Sequence, residues 1–123
     1  MLDLCIKRYP ELADCREDIQ RAIDMVITCY KNGGKLLICG NGGSSADAEH
    51  IVGELMKGFL KKRPISAEKR EKMCKNEPQV AELLDYIQEG LPAISLPSLM
   101  ALNSAFCNDV ESSMIYAQSV LAL

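Results

Sequence analysis

Apolar residues along this chain recur mostly at helical spacing, and in two places they run together. Leu2, Cys5, Ile6 and Tyr9 fall on one face of a short amphipathic helix, which Pro10 interrupts. From Asp14 to Asn32 the apolar positions are Ile19, Ala22, Ile23, Val26, Ile27 and Tyr30, a helical stripe about five turns long. Gly33-Gly34 predicts that this helix ends through a left-handed residue. Leu36-Leu37-Ile38-Cys39 is a continuous apolar run and predicts a short buried strand over 35–39, as in a parallel sheet covered on both faces. Ile51, Val52, Leu55, Met56 and Phe59 predict a helix over 45–60, with Asp47, His50, Glu54 and Lys57 as its polar stripe.

The pattern then changes. Lys61-Lys62-Arg63-Pro64 closes the helix with a basic cluster, read as a solvated helix end in preference to a funnel for an anionic substrate. Residues 66–75 are strongly charged, Pro78 breaks them, and Val80, Leu83, Leu84 and Ile87 form a second amphipathic stripe that Gly90 ends. Residues 61–90 therefore read as a helical hairpin or lid. Leu91–Leu96 is a second strand, and Ser98 is placed to cap a helix with Leu99, Leu102, Ala105 and Phe106 inward, ending at Asn108-Asp109. A last helix starts at Ser112, with Met114, Ala117, Val120 and Leu121 apolar. Strand–helix–strand alternation makes the fold class α/β with a parallel sheet.

Composition narrows the function classes. The 123 residues suit one domain, and 48% hydrophobic with 25% charged residues is a globular balance. A net charge of −3 lacks the basic excess of a nucleic-acid footprint. No apolar run reaches membrane-spanning length, and Asp3, Lys7 and Arg8 break up any signal-peptide pattern. Cys5, Cys15, Cys29, Cys39, Cys74 and Cys107 show no C-x-x-C spacing and read as reduced core thiols of a cytoplasmic protein.

The chain is organised around Gly40-Asn41-Gly42-Gly43-Ser44-Ser45-Ala46-Asp47-Ala48-Glu49-His50, between the first strand and the 45–60 helix. Ser44 is placed to cap that helix, with Asp47 completing an S-x-x-D box. Free amides and the positive end of the helix dipole would meet at one point, suited to a phosphate or sugar oxygen. The stretch is neither a P-loop, since no Gly-Lys-Ser/Thr follows, nor a dinucleotide fingerprint, since Ser45 replaces the third Gly. An ordinary strand–helix turn would account for the glycines alone. His50, the only histidine, and Glu54 add chemistry: i and i+4 share a helix face, and a His/Glu pair one turn above the glycine loop can hold a metal or move protons.

Taken together, Cys39-Gly-Asn-Gly-Gly-Ser-Ser-Ala-Asp-Ala-Glu-His50 followed by Glu54 resembles the signature of the phosphoheptose isomerases, a branch of the sugar isomerase (SIS) domain superfamily. The resemblance is dense over 33–60 and resumes over 92–118, through Pro92-Ala-Ile-Ser-Leu and Ala105-Phe-Cys-Asn108-Asp109. It implies a three-layer αβα, Rossmann-like SIS fold and the aldose–ketose isomerisation of sedoheptulose 7-phosphate through an enediol. On that resemblance Glu54 is the base, and His50 with Glu54 holds zinc in zinc-bearing relatives. Asn41, Gly42, Gly43 and Ser44 would hold sugar oxygens, and Asn108 and Asp109 would lie beside the sugar. Local hydrogen bonding at a helix end explains the Asn-Asp pair equally well.

Family members are homo-oligomers, tetramers, and pass from the Arg-Pro position to the next strand in far fewer residues, which makes 61–90 an insertion. They continue into a Ser/Thr-rich phosphate loop and late Gln and His residues that this sequence lacks. Two strands are also few for an open sheet of about four to six. The sequence is thus expected to be the N-terminal part of one SIS domain, with an incomplete zinc site and little activity alone. The alternative class is a non-catalytic SIS phosphosugar-binding module, or an adaptor for a replication initiator. Adaptor-type relatives tend not to keep the His-x-x-x-Glu pair intact.

Overall fold

A computed structural model describes residues 1–123, which divide into two compact units, 1–35 and 36–123. In the first unit, α1 spans Leu2–Arg8, a 3-10 turn spans Pro10–Cys15, and α2 spans Arg16–Lys31. Proline at the first position of the turn lacks the N–H that α1 would need to continue. Arg16 Nη2 meets Asp3 Oδ1 at 2.5 Å and ties the start of α2 to α1. Gly33, at φ +73°, ends α2 as expected: its N–H reaches the Tyr30 carbonyl and that of Gly34 reaches the Cys29 carbonyl. The apolar stripe of α2 is present but only partly covered: Ile23 and Ile27 are exposed, while Ile19, Val26 and Tyr30 are half-buried.

The second unit is built on a parallel pair of three-residue strands. β1 (Leu36–Ile38) lies beside β2 (Ala93–Ser95) in the register Leu36–Ala93, Leu37–Ile94, Ile38–Ser95. Between them come α3 (Gly43–Met56), α4 (Ala67–Asn76) and two 3-10 turns, Pro78–Val80 and Leu83–Asp85. After β2 follow a 3-10 turn at Leu96–Ser98, α5 (Met100–Asp109), another at Ser112–Met114, and α6 (Ile115–Ala122). The fold is α/β with a parallel sheet, and no helix is long and apolar enough to cross a membrane.

The core is small: Ala48, Leu84, Ala93 and Leu96, with the hydroxyls of Ser95 and Ser119. Several expected inward residues are not in it. β1 is half-buried rather than enclosed. Ile51, Met56 and Phe59 are exposed, so α3 packs through the narrower line Ala48, Val52 and Leu55. Leu102 is exposed and Ala105 lies at the surface, while Asn103 points inward, its amide donating to the Leu96 carbonyl at 2.9 Å. On α6, Met114 just before it, Val120 and Leu121 face outward and Ser119 is fully enclosed, its hydroxyl donating back to the Ile115 carbonyl. The six thiols are free, and Cys15, Cys39 and Cys107 are exposed rather than core.

The second amphipathic stripe in 61–90 is not an α-helix. In a continuing helix the Ala81 carbonyl would take the N–H of Asp85. Here it accepts instead from Arg70 Nη2 at 2.8 Å, and Arg70 Nη1 pairs with Asp85 at 2.8 Å. The backbone is left in 3-10 turns that bury Leu84 and leave Leu83 and Ile87 exposed. Ser66 caps α4, accepting from the Lys69 N–H.

The excursion is fastened at its base. Arg63 donates from Nη2 to the Leu55 carbonyl at 2.5 Å and from Nε to the Glu89 carbonyl at 2.9 Å. The Glu89 N–H returns a bond to the Arg63 carbonyl at 2.7 Å. Glu89 Oε1 accepts from the Ser66 N–H and Oε2 from Lys69 Nζ, both at 2.9 Å. The Ser66 amide first, then the Lys69 ammonium, hold the Glu89 carboxyl below its ordinary value of 4.5. A carboxyl lowered in the folded state stabilises it fully above its unfolded value, and that stabilisation fades as pH falls through the lowered one. Acidification below 4.5 should therefore lower the urea midpoint of the parent chain more steeply than that of Glu89→Gln. Parallel pH profiles for the two chains would remove Glu89 from the fastening.

Candidate functional site

The site is assembled where β1 turns into α3. Gly40 admits the chain's own backbone: a Cβ there would sit 2.4 Å from the Ser44 carbonyl oxygen. Gly42 has φ +57° and ψ −125°, a conformation that a side chain strongly disfavours. Because the bend is completed at Gly42, α3 begins at Gly43, one residue before the expected Ser44 cap. Gly42 is the N-cap and no side chain caps the helix. The Ser44-to-Asp47 box does not form, since Ser44 is already helical. The Ser44 and Ser45 amides turn back to the carbonyls of Asn41 and Gly42, both at 3.1 Å. Of the expected free amides, those of Asn41, Gly42 and Gly43 remain without a partner in the chain, and the space beside Gly43 is open.

Tyr116 is a member of this corner that sequence reasoning missed. Its hydroxyl lies 2.9 Å from the Gly40 carbonyl oxygen and 2.9 Å from Asn41 Oδ1. A phenol has one hydrogen to donate; with Gly40 receiving it, turning the Asn41 amide over lets its NH2 donate to the phenol oxygen. α6 thus braces the bend and orients Asn41. No local signal marks Tyr116, because the contact spans 75 residues or more of sequence.

His50 and Glu54 share a face of α3, with His50 Nε2 3.9 Å from Glu54 Oε1. Their side chains are 79% and 51% exposed. Ala48, which packs inward, is 1% exposed, and His50 is about 200° around the helix from it. The pair therefore stands on the outer flank of α3, away from β2. It is also farther from the bend than one turn: seven and eleven residues past Gly43, or about 10 and 16 Å along the axis at 1.5 Å per residue. The earlier helix start accounts for two of those residues, about 3 Å of each separation.

Across a tetrahedral zinc, nitrogen and oxygen ligands would lie roughly 3.4 Å apart at ordinary bond lengths of about 2.0–2.2 Å. The pair at 3.9 Å is close to that span and could supply two ligands. Nowhere does the chain gather three His, Cys, Asp or Glu side chains suited to a metal. Asn108 and Asp109 are exposed at the end of α5, and neither bonds to the bend, His50 or Glu54.

Inward of the pair, Ser98 does not cap α5. Its hydroxyl donates to Glu49 Oε1 at 2.9 Å, tying α3 to the turn after β2. Glu49, Ser98 and the unpartnered Ser95 hydroxyl line an open cleft of about 510 Å³.

The profile of the SIS domain family matches residues 9–90. The phosphoheptose isomerase of Thermodesulfovibrio yellowstonii is 34% identical over 105 residues, 85% of this chain and 40% of its own length. That of Crocosphaera subtropica is 35% identical over 118 residues, 96% of this chain and 47% of its own. That of Helicobacter hepaticus is 56% identical over a shorter stretch of 45 residues, 37% of this chain and 23% of its own. The chain thus spans less than half the length of these relatives.

The two glycines of the bend and the one after it should respond differently to a methyl group. Gly40→Ala must displace the Ser44 carbonyl, and should cost on the order of 1–3 kcal/mol of unfolding free energy in urea titration. Gly43→Ala enters open space at a helical position and should stay within about 1 kcal/mol of the parent, on the stable side. The opposite order would mean that the bend is built in some other way.

Proposed function

The chain belongs to the SIS domain family, and from that premise we propose that it is the bend-and-carboxylate portion of a phosphosugar isomerase. The substrate we propose is a heptose phosphate, sedoheptulose 7-phosphate, interconverted with the aldose. The observation that carries the proposal is the exposed pair of His50 Nε2 and Glu54 Oε1, 3.9 Å apart on the helix that leaves the glycine bend. Its support is the family membership and the similarity to phosphoheptose isomerases.

Aldose–ketose isomerisation moves a proton between adjacent carbons through an enediol, so a base must reach the carbon and a donor the oxygens. Glu54 takes the proton from the carbon next to the carbonyl and returns it to the neighbouring carbon. The Gly42 and Gly43 amides and the Asn41 side chain, steadied by Tyr116, hold sugar oxygens about two helical turns from His50. Asn108 and Asp109 are assigned to the sugar as well. Zinc, when bound, would polarise the carbonyl; His50 and Glu54 would be its two ligands from this chain, and the others would come from residues outside these 123 or from a second subunit of a tetramer.

This division of labour makes the 123-residue chain inactive by itself. Purified, it should show no turnover of sedoheptulose 7-phosphate above the uncatalysed rate, and detectable turnover would refute the incomplete site. Grafted in place of the matching segment of the Crocosphaera subtropica relative, it should support isomerisation, and Glu54→Gln in the graft should lower kcat by roughly 10²–10⁴-fold. A Glu54→Gln graft as fast as its parent would remove Glu54 as the base. A graft that binds the sugar phosphate without turning it over would assign the segment to the non-catalytic branch of the family.

A further inference from the structure

Beyond the isomerase corner, the far end of α3 carries a second constellation. Lys57 follows the last helical residue, Met56, and is already extended at φ −133° and ψ 111°. The chain then turns tightly over residues 58–61: a Cβ on Gly58 would lie 2.3 Å from the Lys61 carbonyl oxygen, so only glycine fits there. Gln88 Oε1 accepts the N–H of Gly58 at 3.1 Å and that of Arg63 at 3.3 Å. These are the residues immediately after Lys57 and Lys62. One oxygen thus pins both amides and closes the turn, and the residues before them, Lys57 and Lys62, reach a common cleft.

Both lysines line a recessed cleft of about 340 Å³ with Pro64, Asp85, Tyr86, Ile87 and Gln88. Neither makes an ion pair within the chain. The one carboxylate in the lining, Asp85, is already paired with Arg70 at 2.8 Å. With its oxygen engaged twice, Gln88 has only its NH2, a donor, left to offer a ligand. The cleft therefore offers two ammonium groups, an amide donor and a phenol, beside one carboxylate whose Oδ1 is already taken by Arg70. Two like charges in one cleft favour a counter-anion, and a tetrahedral dianion has oxygens enough to accept from more than one donor.

We propose that Lys57 and Lys62, positioned by Gln88, form a binding site for the phosphate group of a small phosphorylated metabolite. The site lies fourteen residues, about 21 Å along the helix axis, from Gly43. It is distinct from the sugar-oxygen corner and does not rest on the isomerase reading. Occupancy would fasten the 58–90 excursion to the end of α3.

Inorganic phosphate is the first probe, titrated calorimetrically into the 123-residue chain at constant ionic strength, with chloride and glycerol as controls and glycerol 3-phosphate as the phosphomonoester. Phosphate and glycerol 3-phosphate should bind saturably, and chloride and glycerol should not. Lys57→Met/Lys62→Met should weaken phosphate at least tenfold. Gln88→Ala, which keeps both charges but releases the turn, should weaken it several-fold, whereas Glu54→Gln should leave it unchanged. Should the double variant misfold, amine acylation of the parent chain answers the same question. Phosphate should protect Lys57 and Lys62 but not Lys72 or Lys75, as read by mass spectrometry. Uniform protection, non-saturable binding, or equal affinity in parent and double variant would overturn the site.

Discussion

The carbonyls at the C-terminal end of α3 decide how the larger unit is tied together. A helix leaves its last carbonyls without intrahelical partners. That of Leu55 is met twice, by Arg63 Nη2 and by the Leu91 N–H at 2.9 Å. The first bond holds the outgoing chain and the second the returning one, just before β2. The Gly90 position shows how close that return is: a Cβ there would come within 2.8 Å of the Met56 carbonyl oxygen. Three-residue strands give few ladder bonds, so the alignment of β1 with β2 leans on this helix end as much as on the sheet.

Because α3 is held at both ends, its two ends acquire different chemistry. At the start, Gly40 and Gly42 let the backbone fold under the helix, and the Gly42 and Gly43 amides are left without a partner in the chain. At the finish, where the dipole repels anions, two lysines reverse the sign. Between them His50 and Glu54 occupy the flank turned away from the core. A pair so exposed is poor at holding a metal or moving a proton until something covers it, since water competes for both groups.

Uncovered apolar surface runs through both units in the same manner. Ile23 and Ile27 on α2, Ile51 and Met56 on α3, and Val120 and Leu121 on α6 are exposed where their spacing predicted burial. Periodicity reports which residues lie on one face of a helix; it is silent on whether a partner face is present. The same limit explains the 61–90 stretch, where Val80, Leu83, Leu84 and Ile87 have helical spacing and yet Arg70 takes the carbonyl that a helix needs.

By itself the sequence determined what is local. The left-handed end of α2 at Gly33, the strand–bend–helix order around Gly40–Gly43, the i, i+4 partnership of His50 and Glu54, and the α/β class all follow from spacing and backbone preference over a few residues. Tertiary structure alone decided the rest. It moved the start of α3 to Gly43, placed Tyr116 under Asn41, turned Ser98 toward Glu49, and drew the amides of Gly58 and Arg63, which follow Lys57 and Lys62, to one oxygen of Gln88. Those outcomes depend on hydrogen bonds between residues 25 to 75 positions apart or on a bend completed before the cap, and chain-local periodicity carries no term for either.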